Sequence, residues 1–285
     1  MLDIILENKA GKQLTFDMNS PFSIVAIDGL GPADATINIS QYAIIDGGRF
    51  NSSKVNVRNV NIAFSIDYDA AKNRIEAFKV IKPGQYIKLI YRGQYRQGYL
   101  EGYVQNTPIT YFEMKQTITF TMICPVPYFK AMESTYDEFR SLADGFRFAF
   151  YSEATPKTIK FGKYTNLTQK VVENGGDVEC GVLFDLAVSG TIEGDVTITN
   201  DETSEFLKFG TGTGLHSGDH IVISTIPGEL YIQKNGGVPN VSNVRVNSTW
   251  LRLPVEGASF SFLVETGTAT DIAMTVIHTD LYEGV

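Results

Sequence analysis

Lys115-Gln116-Thr117-Ile118-Thr119-Phe120-Thr121-Met122-Ile123 decides the class of fold. Ile118, Phe120 and Met122 alternate with three threonines. A period of two puts one apolar and one polar face on an extended chain, the pattern of a half-buried β-strand. The same reading extends outward. Leu2–Leu6, Gln13–Phe16 and Phe22–Ile27 are short apolar or alternating runs, punctuated by Gly11, Asn19-Ser20-Pro21 and Gly29/Gly31-Pro32. Val55, Val57, Ile62, Phe64 and Ile66 alternate with a break near Val60, which suggests a bulge. Tyr86–Tyr91 and Gln97–Val104 flank a turn at Arg92-Gly93-Gln94.

One helix is expected between these strands. Asp69 can cap it, and Ala71, Ile75, Phe78 and Ile81 fall on one stripe. Lys79 and Lys82 suit the C-terminal end of the dipole, and Pro83-Gly84 stops the helix. Met132–Leu142 reads as a second, short helix, ended by Asp144-Gly145, and Phe146, Phe148 and Phe150 then alternate as a strand.

Beyond Asn174-Gly175-Gly176-Asp177 the pattern is purely β. Val182–Val188, Val196–Thr199, His220–Ser224, Leu230–Lys234, Val241–Val246, Phe260–Val264 and Ile272–Ile277 recur at the spacing of a β-sandwich. Charge separates the halves. Residues 1–130 carry a net charge of +3 and residues 131–285 a net charge of −11, so two units with different surroundings are expected. The acidic half repels phosphate and is a poor nucleic-acid binder. With 43% hydrophobic and 20% charged residues the chain is an ordinary globular one. No run is long and apolar enough to span a membrane. Asp3 and Glu7 interrupt the apolar start, which does not read as a signal peptide.

Chemistry-bearing motifs are scarce. Cys124 and Cys180 are too few for a disulfide framework or a Cys-rich metal site. His216 and His220 lie in a run with four glycines, where a helical metal pair does not form and no third ligand is evident. That run lacks the Gly-Lys-Ser/Thr ending of a phosphate-binding loop. There is no Gly-x-Ser-x-Gly elbow. No catalytic residue, cofactor or metal site is therefore expected. A carbohydrate-binding β-sandwich recognising host-wall sugar is the alternative reading. Its residue to test is Trp250, the only tryptophan, whose neighbours also fit a sheet-packing role.

Several motifs in the first 130 residues go together. They are Gly29-Leu30-Gly31-Pro32, Ser40-Gln41-Tyr42 through Phe50-Asn51-Ser52-Ser53, Val60–Ser65, Lys82-Pro83-Gly84, Glu101-Gly102-Tyr103-Val104 and Cys124-Pro125-Val126-Pro127-Tyr128-Phe129. In order and spacing they resemble the distal tail protein (Dit) family of long-tailed, siphovirus-type phages and prophages. Residues 146–285 resemble the family's second domain through Asn174–Val178, Ser217-Gly218-Asp219, Ser248-Thr249-Trp250 and Tyr282-Glu283-Gly284-Val285. They depart from it at Pro254-Val255-Glu256-Gly257-Ala258.

The resemblance implies a mainly β fold. Residues 1–133 would be a β-barrel or sandwich-like, ring-forming domain with one α-helix. Residues 134–285 would be a linker and a galectin-like β-sandwich. It implies a structural virion protein, not an enzyme: a homohexameric ring at the phage tail tip, made in the bacterial host cytoplasm. The implied partners are the tail tube protein, the tail-tip hub or tail-associated protein, and a receptor-binding protein. DNA would pass only as cargo, and no membrane is involved. Lys88, Arg92 and Arg96 are expected near subunit contacts or the lumen, as is Val55–Ile66.

Overall fold

A computed structural model describes residues 3–44, 46–110, 116–144, 162–210 and 212–285. It divides into two compact units, Met1–Met132 with Leu281–Val285, and Glu133–Asp280. The expected second domain ran through Val285. The last five residues instead belong to the first unit, because Tyr282 pairs with Phe129 and Leu281 with Lys130.

The first unit begins with β1 (Asp3–Asn8), β2 (Gln13–Phe16), β3 (Phe22–Asp28), β4 (Ala35–Gln41), β5 (Gly48–Val55) and β6 (Arg58–Ile66). Helix α1 (Ala70–Val80) follows. Then come β7 (Tyr86–Arg92), β8 (Gln97–Asn106), β9 (Ile109–Thr110), β10 (Thr117–Cys124) and β11 (Phe129–Lys130). The main sheet runs β2-β1-β7-β8-β10-β6-β3, all antiparallel. It is open, with β2 and β3 at its edges, rather than closed as a barrel.

The Thr/apolar alternation of β10 works as read. Ile118, Phe120 and Met122 are fully buried, against Phe64, Ile62 and Val60 of β6. Phe16, Phe22 and Phe64 meet edge to face within 5.1–6.3 Å. Burying each such ring is worth roughly 1.5–3 kcal/mol. The break in period near Val60 is not a bulge in β6. It is the junction where β5 ends at Val55 and β6 starts at Arg58, while the irregularity in pairing falls between Ile24 and Ala26 on β3.

Helix α1 forms where expected, but only half of the expected stripe turns inward: Phe78 and Ile81 pack against the core, and Ala71 and Ile75 do not. Ala77, Val80 and Ile81 are buried, whereas Ile75 is 55% exposed. Packing against the strand core takes in Ala77 and Val80 instead. Asp69 does not cap the helix through its side chain; it sits in the left-handed region at φ 48°.

The second unit contains β12 (Thr135–Glu138), β13 (Arg140–Asp144), β14 (Gly162–Asn166), β15 (Gln169–Val172), β16 (Cys180–Val188), β17 (Glu193–Asn200) and β18 (Phe206–Phe209). It continues with β19 (His220–Ser224), β20 (Tyr231–Lys234), β21 (Arg252–Leu253), β22 (Ala258–Thr266) and β23 (Ile272–His278), and β24 (Leu281–Tyr282) then enters the first unit. One sheet runs β12-β23-β16-β19-β20, with β21 added to β16, and a second runs β15-β22-β17-β18. Phe184 of the first meets Phe260 of the second edge to face at 5.4 Å, and both are fully buried. That is a β-sandwich core.

Met132–Leu142 is not a helix. Thr135–Glu138 pairs with Thr275–His278, so the backbone donors go to a sheet, and Phe139 is buried beside it. Val241–Val246 forms no strand; Val244 makes only an isolated bridge to Phe209. Phe146, Phe148 and Phe150 lie outside the described residues. Among the described residues no helix is long and apolar enough to cross a membrane.

Candidate assembly surface

Strands β4 and β5 pair only with each other, among the described residues, and every position from Ala35 to Lys54 that is described in them is exposed. The hairpin has two chemistries. Ile39 faces Phe50 across the strands, with Ile37 two residues along; these three are 58–61% exposed. The other face is uncharged at its centre. Asn38 Nδ2 donates to Ser52 Oγ at 3.0 Å, and Asn51 Nδ2 donates to Ser40 Oγ at 2.7 Å. A Cβ at Gly48 would lie 2.9 Å from the Ser40 main-chain oxygen, closer than a side chain normally comes. A two-stranded hairpin is marginal by itself in water. A contiguous apolar face on one marks an interaction surface. Covering three such side chains would contribute about 1 kcal/mol each.

The expected basic contacts are spread differently. Lys88 and Arg92 lie on one face of β7, and Lys88 Nζ sits 3.8 Å above the Tyr99 ring. Arg96 is engaged within its own unit. It donates to the Gly284 carbonyl at 2.9 Å and lies 4.4 Å from the Tyr282 ring centroid. Strand β6 is interior, paired on both sides, so Arg58–Ile66 offers no free edge to a neighbour.

Arg58 is the residue that sequence reading missed. It is 2% exposed. Its Nε donates to the Pro127 carbonyl, its Nη1 to the carbonyls of Gly29 and Gly31, and its Nη2 to that of Glu283. The guanidinium also stacks 5.0 Å from the Phe129 ring centroid. Three separate motifs, Gly29-Leu30-Gly31, Pro127–Phe129 and Tyr282–Gly284, therefore converge on one side chain. Burial lowers the Arg58 pKa from its ordinary value, partly offset by Cys124 and Glu283. The available signal was a lone arginine opening an apolar alternating strand, which demands buried acceptors. Gly29 is needed here too: at φ 90° a Cβ would lie 2.2 Å from the Asn59 carbonyl oxygen.

The remaining candidates do not gather into a reactive centre. His220 Nε2 is 2.5 Å from Asp185, and the His216 main-chain N–H donates to Asp219. Among the described residues no group of three or more His, Cys, Asp or Glu could hold a metal. Trp250 is half-buried in the second unit, whereas the two described cavities lie in the first. Cys124 and Cys180 are buried free thiols, each pushed up to about 12, chiefly by burial.

No protein-family model matches the sequence, and no curated protein matches it. Solved structures do. The Dit protein of phage SPP1, described as a paradigm of the hub adsorption apparatus of phages infecting Gram-positive hosts, shares the architecture. Its TM-score is 0.67 at 12% identity, over 98% of each chain. A chain of the phage P2 baseplate in its activated, calcium-containing conformation matches with a TM-score of 0.51 at 12% identity, over the full length of both. The open sheet with one helix, followed by a β-sandwich, is thus a fold that this chain shares with these two phage proteins over nearly the whole length of each chain.

Proposed function

We propose that this chain is a structural component of a phage tail tip. Six copies close into a ring that joins the tail tube to the tail-tip hub, with a channel through which DNA passes as cargo. It is made in the bacterial host cytoplasm and becomes part of the virion. The tail tube protein and the hub are its neighbours along the axis, and a receptor-binding protein docks at its periphery. It works as a socket and not as a catalyst.

The observation that carries this reading is the correspondence of fold over 98% of both chains with a distal tail protein. The bare amphipathic hairpin supports it. A closed cyclic ring is built from head-to-tail contacts. Each copy must then present a surface that is exposed in the monomer and covered in the assembly. Ile37, Ile39 and Phe50 are exposed as that requires, and on β7 of the same unit Arg92 is exposed and Lys88 half-buried.

Light scattering on the purified chain across a dilution series tests the proposal. A mass near six times 31.5 kDa is expected. A monomer at every concentration, alone and mixed with its tail tube protein, would overturn the ring.

A further inference from the structure

We propose that the cleft bounded by Tyr86, Tyr103, Tyr128, Glu101 and Lys130 is a saccharide-binding site that takes a neutral pyranose unit. It is a cavity of about 210 Å³ on the first unit, Trp250 is not among its lining residues, and it does not depend on the ring.

Geometry makes the cleft. Tyr86 of β7 and Tyr103 of β8 are cross-strand partners, with ring centroids 6.3 Å apart and planes at 82°. One ring thus presents its face where the other presents its edge. Gly102 lets β10 come close beneath: a Cβ there would lie 2.5 Å from the Ile123 carbonyl oxygen. Pro125 and Val126 complete an apolar wall. The walls belong to a paired sheet and a proline-bearing turn, so the shape is largely set before any ligand arrives.

The polar groups are arranged for hydroxyls. The Tyr86 hydroxyl donates to Glu101 Oε1 at 2.7 Å, and Lys130 Nζ donates to Glu101 Oε2 at 2.6 Å. Each carboxylate oxygen keeps a further lone pair, the ammonium keeps further donors, and the phenol oxygen can still accept. Acceptor and donor therefore stand side by side. Vicinal sugar hydroxyls, which both donate and accept, match that pattern. The carboxylate and the ammonium neutralise each other, so the pair favours neither an anion nor a cation. Tyr103, 53% exposed, offers a ring face to the C–H face of a pyranose.

An extended peptide is a poorer fit. Strand β8 is paired on both sides, by β7 and β10, and leaves no main-chain edge for strand addition. A wider trough of about 720 Å³ shares Tyr86 and Tyr103 with the cleft and is lined by Asn8, Gln85 and Lys88.

Titration calorimetry of the full chain with maltotriose, cellotriose and chitotriose tests the site. Saturable binding of at least one trisaccharide is expected. Tyr103→Ala should weaken it about tenfold, the size of one lost ring contact, and Tyr103→Phe should retain it. Glu101→Gln should weaken it as well, while Trp250→Ala leaves it unchanged. The absence of binding to all three sugars would overturn the proposal. So would unchanged binding in Tyr103→Ala, binding lost only in Trp250→Ala, or binding of decaproline in place of sugar.

Discussion

The Arg58 guanidinium donates through Nη2 to the main-chain oxygen of Glu283, 225 positions away in the chain. That bond draws the C-terminal residues into the first unit, beside the Gly29–Gly31 loop and Pro127. A buried cation held by main-chain carbonyls is stable because four of its five N–H groups donate to them and the Phe129 ring covers one face.

Arg58→Lys keeps the charge but loses the planar fork. It should destabilise the full chain by about 3 kcal/mol or more, since carbonyls and a buried ammonium are left mismatched. Deleting Leu281–Val285 should cost at least about 2 kcal/mol through the same network. Both are read from denaturant midpoints. A change under 0.5 kcal/mol in either would show that the network is dispensable.

Ile39→Asp with Phe50→Asp should abolish assembly without unfolding the chain. Both side chains are more than half exposed, and exposed substitutions usually shift stability by no more than about 0.5 kcal/mol. Light scattering should report monomers while circular dichroism and melting stay as in the parent. A ring that persists would remove the hairpin from the interface.

Reversing Lys88, Arg92 and Arg96 to Glu should weaken assembly. The three are not equivalent, because Arg96 also holds the Gly284 carbonyl and the Tyr282 ring. Arg96→Glu alone should lower stability by about 1 kcal/mol. Lys88→Glu with Arg92→Glu should change association and leave stability nearly unaltered. Equal melting of the single and double variants would contradict this division.

Both thiols should resist modification in the native chain. Their folded values of about 12 stand above the ordinary 9.0, so they stay protonated at neutral pH. A disulfide reagent at pH 8 should label neither until denaturant is added. The same shift sets an alkaline limit. Above pH 9 the unfolded thiols ionise and the folded ones do not, so stability falls from about pH 9 towards pH 12. Replacing both by Ala or Ser should flatten that part of the profile.

Acid should weaken the second unit in the opposite sense. Arg245 hydrogen bonds hold Asp195 below its ordinary 3.8, and a hydrogen bond from Lys234 does so at Asp219. At Asp201 burial pushes upward, but Ser261, Ser259 and Gln169 outweigh it and the value is lowered. Depressed carboxylates contribute stability that is present above pH 3.8 and lost as pH falls towards their folded values. Asp219→Asn should reduce stability at pH 6 and make it less dependent on pH below 4, as followed by urea denaturation.

Much of the fold was legible because its strands alternate strictly. In β10 and β23 each side chain's burial follows from its parity, and a period of two survives whatever the partner strand is. His220–Ser224 and Gln13–Phe16 coincide with their observed bounds for that reason. Elements whose face depends on a neighbour were not legible. Helix α1 has apolar residues on two overlapping stripes, and only the strands beneath it choose between Ile75 and Ala77. Thr135–Glu138 is a strand because Thr275–His278 offers it an edge.

The candidate surface divides in the same way. From Ser40-Gln41-Tyr42 and Phe50-Asn51-Ser52-Ser53 the sequence alone supplied a motif, and only the folded chain showed that Ile39 and Phe50 stand bare on a detached hairpin. Composition, alternation and motif order determined a β-rich chain in two parts, because burial periodicity and turn chemistry are local. The tertiary structure decided the convergence of Gly29, Pro127 and Glu283 on Arg58 and the pairing of Tyr86 with Tyr103 over Glu101. Those contacts join residues that are distant in the chain, and nothing local in the sequence encodes which long-range partner satisfies a buried charge.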